Sequence, residues 1–285
     1  MKTNILKFVT NFVNNPVTNI WEFYKSRIRA NAVWDSLEAF VKDMFCGSIN
    51  INDINQKLEK YQEFFSFLWA QNNPPDIMIK WWDAIEVKKI EWLSNSLALN
   101  SSYPKDKLYS NSPMITDSCR TCEERTEKDI MYFIWSVKKD TDNLNYLWVV
   151  YWDCYAAEYR TYEKIKSKIS EWINELPDIE FTTTNELWRV NKIDPLGITN
   201  LRIRGMWSIE NPVKVFDYVS ELPSDKFMLN VLMLKTKYEA MPEEDKKTIE
   251  KLQKENTNLQ MKDIKIKSPN NPAKLIDAKM ITFLV

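Results

Sequence analysis

The sequence predicts an α/β fold in which one sheet is flanked by helices. Segments with apolar residues at helical spacing alternate with short apolar runs of strand length as far as Leu176. Breaks such as NNPPD separate these segments, because proline cannot continue a helix and biases the preceding residue to extended structure. With 285 residues, 44% of them hydrophobic and 28% charged, the chain can bury a sizeable core.

The first half is predicted to run helix, helix, strand pair. Residues 26–46 form the first helix, since apolar side chains recur there at helical spacing from Leu37 to Phe45. A second helix covers residues 53–69 and ends at NNPPD. The apolar runs DIMIK and AIEVKKI then form a strand pair.

The middle of the chain is predicted to run loop, helix, strand, helix. NSSYPKDKLYSNSP is a polar loop punctuated by proline, and EKDIMYFIWSVKK follows as a helix. NYLWVVYW is a continuous apolar run that suits a buried central strand. RTYEKIKSKISEWINEL is a helix that stops before Pro177.

From about residue 180 the character of the chain changes. Short strands and turns carrying four basic side chains come first, and MPEEDKKTIEKLQKENTNLQ follows as a charged helix. The tail AKLIDAKMITFLV has a strand pattern. The first residues contain no long apolar run and no cleavage-like site, so we expect neither a signal peptide nor a membrane span, and a cytoplasmic protein.

The composition excludes several kinds of chemistry. The chain has no histidine, so a histidine-dependent triad, base or metal site is excluded. Its three glycines are too scattered for a phosphate-binding loop. Cys119 and Cys122 form one C-x-x-C pair without a visible second half, so we expect reduced, partly buried thiols. The net charge of −1 means that any nucleic-acid binding depends on a local basic patch.

The stretch PDIMIKWWDAIEVKKIE carries the candidate chemistry. Side chains alternate along a strand, so Glu86 and Lys88 share one face while Ile85 and Val87 face the core. A two-residue loop at 81–82 pairs Asp76 with Val87 and turns it away from Glu86. A three-residue loop at 81–83 pairs Asp76 with Lys88 and puts it on the face of Glu86. The shared face requires the odd-length loop, which usually contains a residue in the left-handed conformation.

Two carboxylates on one face repel each other unless a divalent cation lies between them. Oxygen ligands suit Mg²⁺, which retains water molecules that can act as nucleophiles. A lysine beside the metal can orient or deprotonate such a water, and the metal stabilises the oxygens of a phosphoryl displacement. The alternative is a surface hairpin with a Glu–Lys ion pair.

The spacing P-D-x(9)-E-V-K resembles the core motif of PD-(D/E)XK nucleases. Several longer segments extend the resemblance to the NgoPII-type family of type II restriction endonucleases, from about residue 30 to at least 215; they are NNPPDIMIK, DAIEVKKIE, LALNSSYPKDKLYS, VVYWDCYAA and RVNKIDPLGITNLRIRGMWSIENP. The resemblance implies a restriction-endonuclease-like fold with Asp76 and Glu86 as Mg²⁺ ligands and Lys88 as the catalytic lysine.

The resemblance also implies a biological setting. It implies a Mg²⁺-dependent homodimer that cuts double-stranded DNA at a short palindrome, GGCC, and a cognate cytosine methyltransferase as genetic partner. Residues 1–180 would form the catalytic core, and residues 181–285 a DNA-recognition region and C-terminal extension within the same domain. The alternatives are a repair or junction nuclease of the same superfamily, or a non-catalytic DNA-binding protein with a degenerate site.

Further site residues follow from the same comparison. Related nucleases place an acid on a helix before the hairpin, and Glu38 fits that position as a third metal ligand. The alternative is that Glu38 is a solvated helix residue. Two polar segments are candidates for DNA contact, and their alternatives are an ordinary polar loop and a solvated basic strand. The candidates are Asn100, Ser101, Ser102, Tyr103 and Lys105 in the loop, and Arg189, Lys192, Arg202 and Arg204 near the basic strand.

The tryptophan content is anomalous, since 12 tryptophans stand beside 3 glycines. Average glycine usage of about 7% would give roughly 20 glycines in a chain of this length. The family resemblance favours glycine at the positions of Trp34, Trp69, Trp135, Trp152 and Trp188. It also favours glycine at one or both of Trp81 and Trp82. We interpret these tryptophans as UGA codons that mean glycine in the source; the alternative is a tryptophan-rich protein whose indoles fill the core or stack on bases.

Overall fold

The computed structural model describes residues 2–25, 33–68, 74–90, 95–100, 103–104, 106–112, 115–137, 144–174, 180–181, 188–191, 195–196, 198, 201–203, 205–221 and 226–285. The helices are α1 Ile5–Asn14, α2 Ile20–Lys25, α3 Val33–Cys46, α4 Ile54–Phe64, α5 Asp117–Thr121, α6 Tyr159–Asn174, α7 Pro212–Val215, α8 Lys235–Glu239 and α9 Glu243–Glu255. The strands are β1 Phe65–Leu68, β2 Ile77–Ile79, β3 Ala84–Ile90, β4 Leu97–Asn100, β5 Lys107–Tyr109, β6 Glu127–Val137, β7 Leu144–Tyr151, β8 Glu180–Phe181, β9 Trp188–Asn191, β10 Leu201–Ile203, β11 Trp207–Ile209, β12 Met228–Leu234, β13 Leu259–Ser268 and β14 Asn271–Leu284.

A nine-stranded mixed sheet forms the centre of the protein. Eight strands follow the order β1-β2-β3-β6-β7-β12-β14-β13, and β5 pairs with β6 off this path. The pairs β3–β6 and β7–β12 are parallel, and the other pairs are antiparallel. Smaller sheets join β10-β9-β8 and β11-β4. The predicted α/β class, a central mixed sheet with flanking helices, is confirmed.

The N-terminal helices pack on the sheet through aromatic side chains. The ring of Phe8 on α1 meets Phe133 of β6 edge to face at 5.0 Å, and Phe40 on α3 meets Trp135 in the same way at 5.5 Å. Such rings bury large apolar areas and contribute most of the packing energy at helix–sheet contacts. Helix α3 is thereby packed against β6.

A buried carboxylate ties α2, α3 and α4 together. Asp43 on α3 is fully buried and accepts hydrogen bonds from Tyr24, Ser48 and Tyr61, each at 2.6 Å. Lys57 of α4 also donates to Asp43 and neutralises its charge. A buried charge is tolerated when it is paired and hydrogen-bonded in this way, so we assign Asp43 a structural role.

Three local predictions were wrong. The segment EKDIMYFIWSVKK is strand β6 and not a helix. It pairs with β3 on one side and β7 on the other, and residues 130–136 are all buried, which explains the continuous apolar run. The helix expected over 53–69 ends at Phe64, after which β1 pairs with β2. The expected polar loop contains β5, which pairs with β6.

The C-terminal strands extend the same sheet. β12 lies parallel to β7 and antiparallel to β14, so residues 228–284 continue the sheet that carries β3. The predicted strand in the tail and the predicted charged helix correspond to β14 and α9. Within the described ranges, no helix is long and apolar enough to cross a membrane.

Candidate active site

The hairpin between β2 and β3 sets the geometry of the site. Ile77 pairs with Ile85 and Met78 pairs with Ala84, and the Ile79 N–H donates to the Asp83 carbonyl at 3.0 Å. The loop therefore consists of three residues, 80–82. The prediction of an odd-length loop is confirmed, but the loop lies one residue earlier than predicted, and the register brings Asp76 opposite Glu86 and not opposite Lys88.

Asp76 is anchored at the start of β2 by backbone contacts. Its N–H donates to the Ile85 carbonyl at 3.0 Å, and its Oδ2 accepts the Val87 N–H at 2.6 Å. The carboxylate thus takes the place of a strand partner for Val87. Burial and the negative charge of Glu86 raise the pKa of Asp76 above its ordinary value, and the Val87 N–H and the Lys88 ammonium oppose this.

Glu86 and Lys88 lie side by side on β3, as predicted. The Lys88 ammonium donates to Glu86 Oε1 at 2.6 Å. Burial disfavours the charge on Lys88, but the carboxylates of Glu86 and Asp76 outweigh burial and raise the pKa of Lys88. Ile85 and Val87 are buried, which is the predicted alternation. The sheet therefore holds a carboxylate pair and one ammonium group in one cluster, in which Glu86 is buried and Asp76 and Lys88 are half-buried.

The cluster has the properties of a site for a hard divalent cation. Glu86 is 6% exposed, and its Oε2 is buried without a hydrogen-bond partner among the described residues. An orphaned buried carboxylate oxygen beside a second carboxylate is costly unless a cation or a proton compensates it. The described residues contain no group of three or more acidic, cysteine or histidine side chains that could hold a metal ion. Mg²⁺ commonly binds through one or two carboxylates plus substrate phosphates, so Asp76 and Glu86 fit it.

Glu38 on α3 faces this cluster from the helix layer. It is half-buried, and its negative charge contributes to raising the pKa of Asp76, after the effects of burial and of Glu86. It does not form a three-acid group with Asp76 and Glu86. The structure therefore puts Glu38 within electrostatic reach of the pair, and its role as a metal ligand stays a prediction.

Tyr132 and Trp152 are site neighbours that the sequence did not reveal. Tyr132 of β6 pairs with Glu86 across the parallel ladder, so the two side chains share a face. Its ring stacks on Trp152 with a centroid distance of 3.9 Å. Tyr132 was missed because its segment was predicted to be a helix, and a helix would not have placed it beside Glu86.

The turn of the hairpin contains a strained tryptophan. Trp81 has φ of 61° and its side chain is 68% exposed, so the left-handed position expected in an odd-length loop is occupied by tryptophan. Trp135 and Trp152 are instead fully buried, and their indole N–H groups have no hydrogen-bond partner among the described residues. Buried indoles usually find a partner. Trp34, Trp69 and Trp188 have no described side chain.

Part of the predicted DNA-contact loop lies among the described residues. Asn100 ends β4 and pairs with Trp207 of β11. Tyr103 is half-buried: its hydroxyl donates to Glu163 of α6 at 3.0 Å, and its ring packs between Tyr162 and Trp207. This part of the loop is anchored to α6 and β11. Ser101, Ser102 and Lys105 lie outside the described residues.

The predicted basic strand is described in its backbone only. Arg202 on β10 pairs with Arg189 on β9 in a small antiparallel sheet. Lys192 and Arg204 lie outside the described residues. The DNA-contact role of these four residues stays a prediction.

The C-x-x-C pair takes no part in the site. Cys119 and Cys122 are free thiols, and Cys119 Sγ lies 3.5 Å from Met78 Sδ on the back of the hairpin. Burial raises the pKa of Cys119 to about 11, so the thiol stays protonated. Cys119 is buried and Cys122 is half-buried, and both are reduced, as expected.

Comparisons with known proteins identify the family of this chain. The family model described as NgoPII restriction endonuclease matches residues 3–267. The type II restriction enzyme NgoPII of Neisseria gonorrhoeae is 44% identical over 281 residues, which is 98% of this chain and 99% of that enzyme. No solved structure matches the chain.

Proposed function

This chain belongs to the NgoPII family of type II restriction endonucleases, and it is therefore a site-specific deoxyribonuclease, and on that basis we propose how and where it cuts. It cleaves both strands of duplex DNA at a short palindrome, GGCC, in a Mg²⁺-dependent reaction. The observation that carries the proposal is the cluster of Asp76, Glu86 and Lys88, in which Glu86 Oε2 is buried without a hydrogen-bond partner among the described residues.

Asp76 and Glu86 are the proposed ligands of the metal, with Glu38 as a third acid that supports it. When bound, Mg²⁺ would supply charge neutralisation at the phosphate and a more acidic water. The Val87 N–H fixes Asp76 Oδ2, and this contact restricts the directions that its other oxygen can face. Because these contacts exist in the protein alone, the site is preorganised and the ligands need little reorganisation.

Lys88 is the proposed residue that orients the attacking water. In the protein alone its ammonium is paired with Glu86 Oε1, which keeps Lys88 protonated. Glu86 Oε2, which has no partner among the described residues, would hold the cation, while Oε1 keeps the Lys88 ammonium beside the site. As an ammonium, Lys88 Nζ would hold the water by donating a hydrogen bond to its oxygen; taking the proton of the water would require the neutral amine, which the pairing with Glu86 disfavours.

A second copy of the chain is the proposed partner on DNA. A palindromic site presents the same half-site twice, and a two-fold dimer matches that symmetry. Helix α6 supports this proposal: Ile165, Ile169 and Trp172 lie three and four residues apart, and all three side chains are exposed. Exposed apolar stripes of this kind mark interaction surfaces.

Recognition is proposed to involve the loop at 100–105 and the strands β9 and β10. Four basic residues would contact phosphates and guanines; they are Arg189, Lys192, Arg202 and Arg204. The polar residues of the loop would contact the DNA phosphates; they are Asn100, Ser101, Ser102, Tyr103 and Lys105. The enzyme would act in the cytoplasm. Its genetic partner would be a cytosine methyltransferase that protects the same DNA site.

Digestion of plasmid DNA tests the proposed function. Discrete fragments whose ends map to GGCC are expected with Mg²⁺, and none after chelation with EDTA. Fragments that map to branched or damaged structures would indicate a repair or junction nuclease. DNA binding without cleavage under any metal would indicate a degenerate site. Methylation of the cytosines in GGCC should protect the plasmid.

A further inference from the structure

One buried tyrosine differs from all the others in the described part of the chain. Six buried tyrosines have hydroxyl groups hydrogen-bonded to a side chain or a carbonyl; they are Tyr24, Tyr61, Tyr146, Tyr151, Tyr155 and Tyr238. Tyr132 is equally buried, at 7% exposure, but its hydroxyl has no hydrogen-bond partner among the described residues. The hydroxyl oxygen is also not one of the buried side-chain atoms without a partner, so it is open to solvent and to an incoming group. A hydroxyl that is open but has no protein partner, on a ring that is otherwise buried, needs an explanation.

The position of Tyr132 supplies one. It shares a sheet face with Glu86, its neighbour in the parallel ladder. Burial and the negative charges of Glu86 and Asp76 raise the pKa of the Tyr132 phenol well above its ordinary value, so the hydroxyl lies in the field of both carboxylates. No hydrogen bond joins the hydroxyl to either carboxylate. A neutral O–H donor therefore faces the candidate metal site with its hydrogen-bonding capacity unused.

The ring is fixed on one side. In the chain as written, Trp152 stacks on the ring at 3.9 Å. Independently of Trp152, strand β6 is paired on both sides, which fixes the backbone of Tyr132 and the face that its side chain takes. The hydroxyl consequently has little freedom to turn to another acceptor. A fixed donor directed at a site of changing charge is the arrangement that stabilises developing charge without reorganisation.

We propose that Tyr132 is a further catalytic residue, whose hydroxyl donates a hydrogen bond to a non-bridging oxygen of the DNA phosphate that is cut. The inference rests on the proposed function of Asp76, Glu86 and Lys88 and adds a fourth group to it. A phosphate oxygen is the acceptor because it arrives with the substrate and carries negative charge. Negative charge on the acceptor makes such a bond shorter and stronger than one between neutral groups.

Tyr132→Phe tests this, since it removes the hydroxyl and keeps the ring and its stacking. Tyr238→Phe is the matched control, because Tyr238 is also buried and its hydroxyl donates to Glu250 away from the candidate site. Three quantities are measured on both variants: the single-turnover cleavage rate with Mg²⁺, the dissociation constant for DNA with Ca²⁺, and Mn²⁺ binding by calorimetry without DNA. Melting temperatures show whether each variant is folded.

Tyr132→Phe should lower the cleavage rate by about 100-fold, the loss typical of removing one donor to a developing oxyanion. DNA binding and Mn²⁺ binding should stay at the values of the unmodified chain, and Tyr238→Phe should retain the cleavage rate. Cleavage by Tyr132→Phe at the unmodified rate overturns the inference. Weaker Mn²⁺ binding by Tyr132→Phe also overturns it, because the hydroxyl would then act through the metal.

A second substitution separates hydrogen bonding from packing. Site-specific 3-fluorotyrosine at position 132 keeps a hydroxyl and should retain cleavage well above that of Tyr132→Phe. If both variants are equally slow, packing of the ring and not the hydroxyl sets the rate, and the inference is wrong. Failure of the proposed function looks different, since the unmodified chain would then leave DNA intact with every metal.

Discussion

Glu123 accepts the backbone N–H of Trp81 at 3.2 Å, and this contact ties the turn of the active-site hairpin to the segment before β6. The other carboxylate oxygen of Glu123 accepts the Ser66 hydroxyl at 2.7 Å and pairs with the Lys128 ammonium. Lys128 also donates to the Ile79 carbonyl at 2.6 Å. A slip of one residue would turn Asp76 away from Glu86, so these contacts maintain the register on which the candidate site depends.

We expect Glu123→Gln to destabilise the protein and reduce cleavage together. The substitution keeps the shape of the side chain but leaves the buried Lys128 ammonium without its counter-charge. Breaking a buried pair on one side costs about 3–5 kcal/mol of unfolding free energy. Glu124→Gln, at an exposed neighbouring position, is the control and should change stability by no more than about 0.5 kcal/mol. Urea unfolding measures both, and equal stability of the two variants would contradict the assigned role.

Glu86→Gln and Lys88→Ala should abolish cleavage and leave DNA binding largely intact. Glu86→Gln removes a proposed metal ligand, and Lys88→Ala removes the proposed water-orienting group. The rate should fall by about 1000-fold for each. A gel shift with Ca²⁺ and a digest with Mg²⁺, run on the same samples, measure the two properties. Retained cleavage by either variant removes that residue from the mechanism.

Arg202→Ala should reduce discrimination against a one-base mismatch by about 1–3 kcal/mol if Arg202 reads guanine. A phosphate contact would instead weaken binding to all sequences alike and reduce the salt dependence. Binding to cognate and mismatched duplexes is compared across salt concentrations. Lys251→Ala, on the exposed side of α9, is the control and should change neither quantity. An Arg202 variant that behaves like this control has no contact with DNA.

Asp153 makes stability depend on pH. Burial and the negative charge of Asp129 raise the pKa of Asp153 to about 6, and its Oδ1 is buried without a hydrogen-bond partner among the described residues. A carboxyl group with a raised pKa favours the folded state most when it is protonated, so its contribution is full below about pH 4 and is lost as the pH rises through 6.

Asp153→Asn should therefore raise the free energy of unfolding at pH 8 by on the order of 2 kcal/mol and have little effect near pH 4. Asp217→Asn, at an exposed position, is the control and should show no such difference. Urea unfolding of both variants at the two pH values measures the effect. A stabilisation that is the same at both pH values would contradict it.

Trp81→Gly should stabilise the protein by about 1–2 kcal/mol, because it removes the strain of a side chain in the left-handed conformation. Trp172→Gly is an instructive control: Trp172 is also exposed but lies in α6, where glycine costs about 1 kcal/mol relative to alanine. Thermal melts show whether each substitution raises or lowers the stability of the protein. A loss of stability at both positions would contradict the glycine interpretation of the turn.

The glycine interpretation extends to the combined variant with glycine at 34, 69, 81, 82, 135, 152 and 188. This variant should be more stable and should cleave faster than the chain as written. The buried rings of Trp135 and Trp152 make these two positions decisive, because glycine there leaves a cavity if tryptophan is native, at a cost of about 3–5 kcal/mol. UGA codons in the coding DNA at these positions would establish the interpretation directly.

The sequence by itself determined the chemistry of the candidate site. The alternation of Glu86 and Lys88 on one strand face follows from the period of a strand, and an odd-length turn was required before Asp76 could join them. The family was recognisable from the same residues because these local patterns do not depend on the rest of the fold. The exclusion of histidine chemistry needed only the composition.

Tertiary structure decided where those residues meet. The segment of β6 is apolar enough for either a helix or a strand, and only pairing with β3 and β7 made it a strand. That pairing put Tyr132 beside Glu86, a neighbour 46 positions away in the chain. The position of the turn likewise depended on Glu123 and Lys128, whose contacts with the loop are long-range. Local periodicity specifies which face a side chain takes, but the free energy that selects among compatible segments comes from non-local pairing and burial.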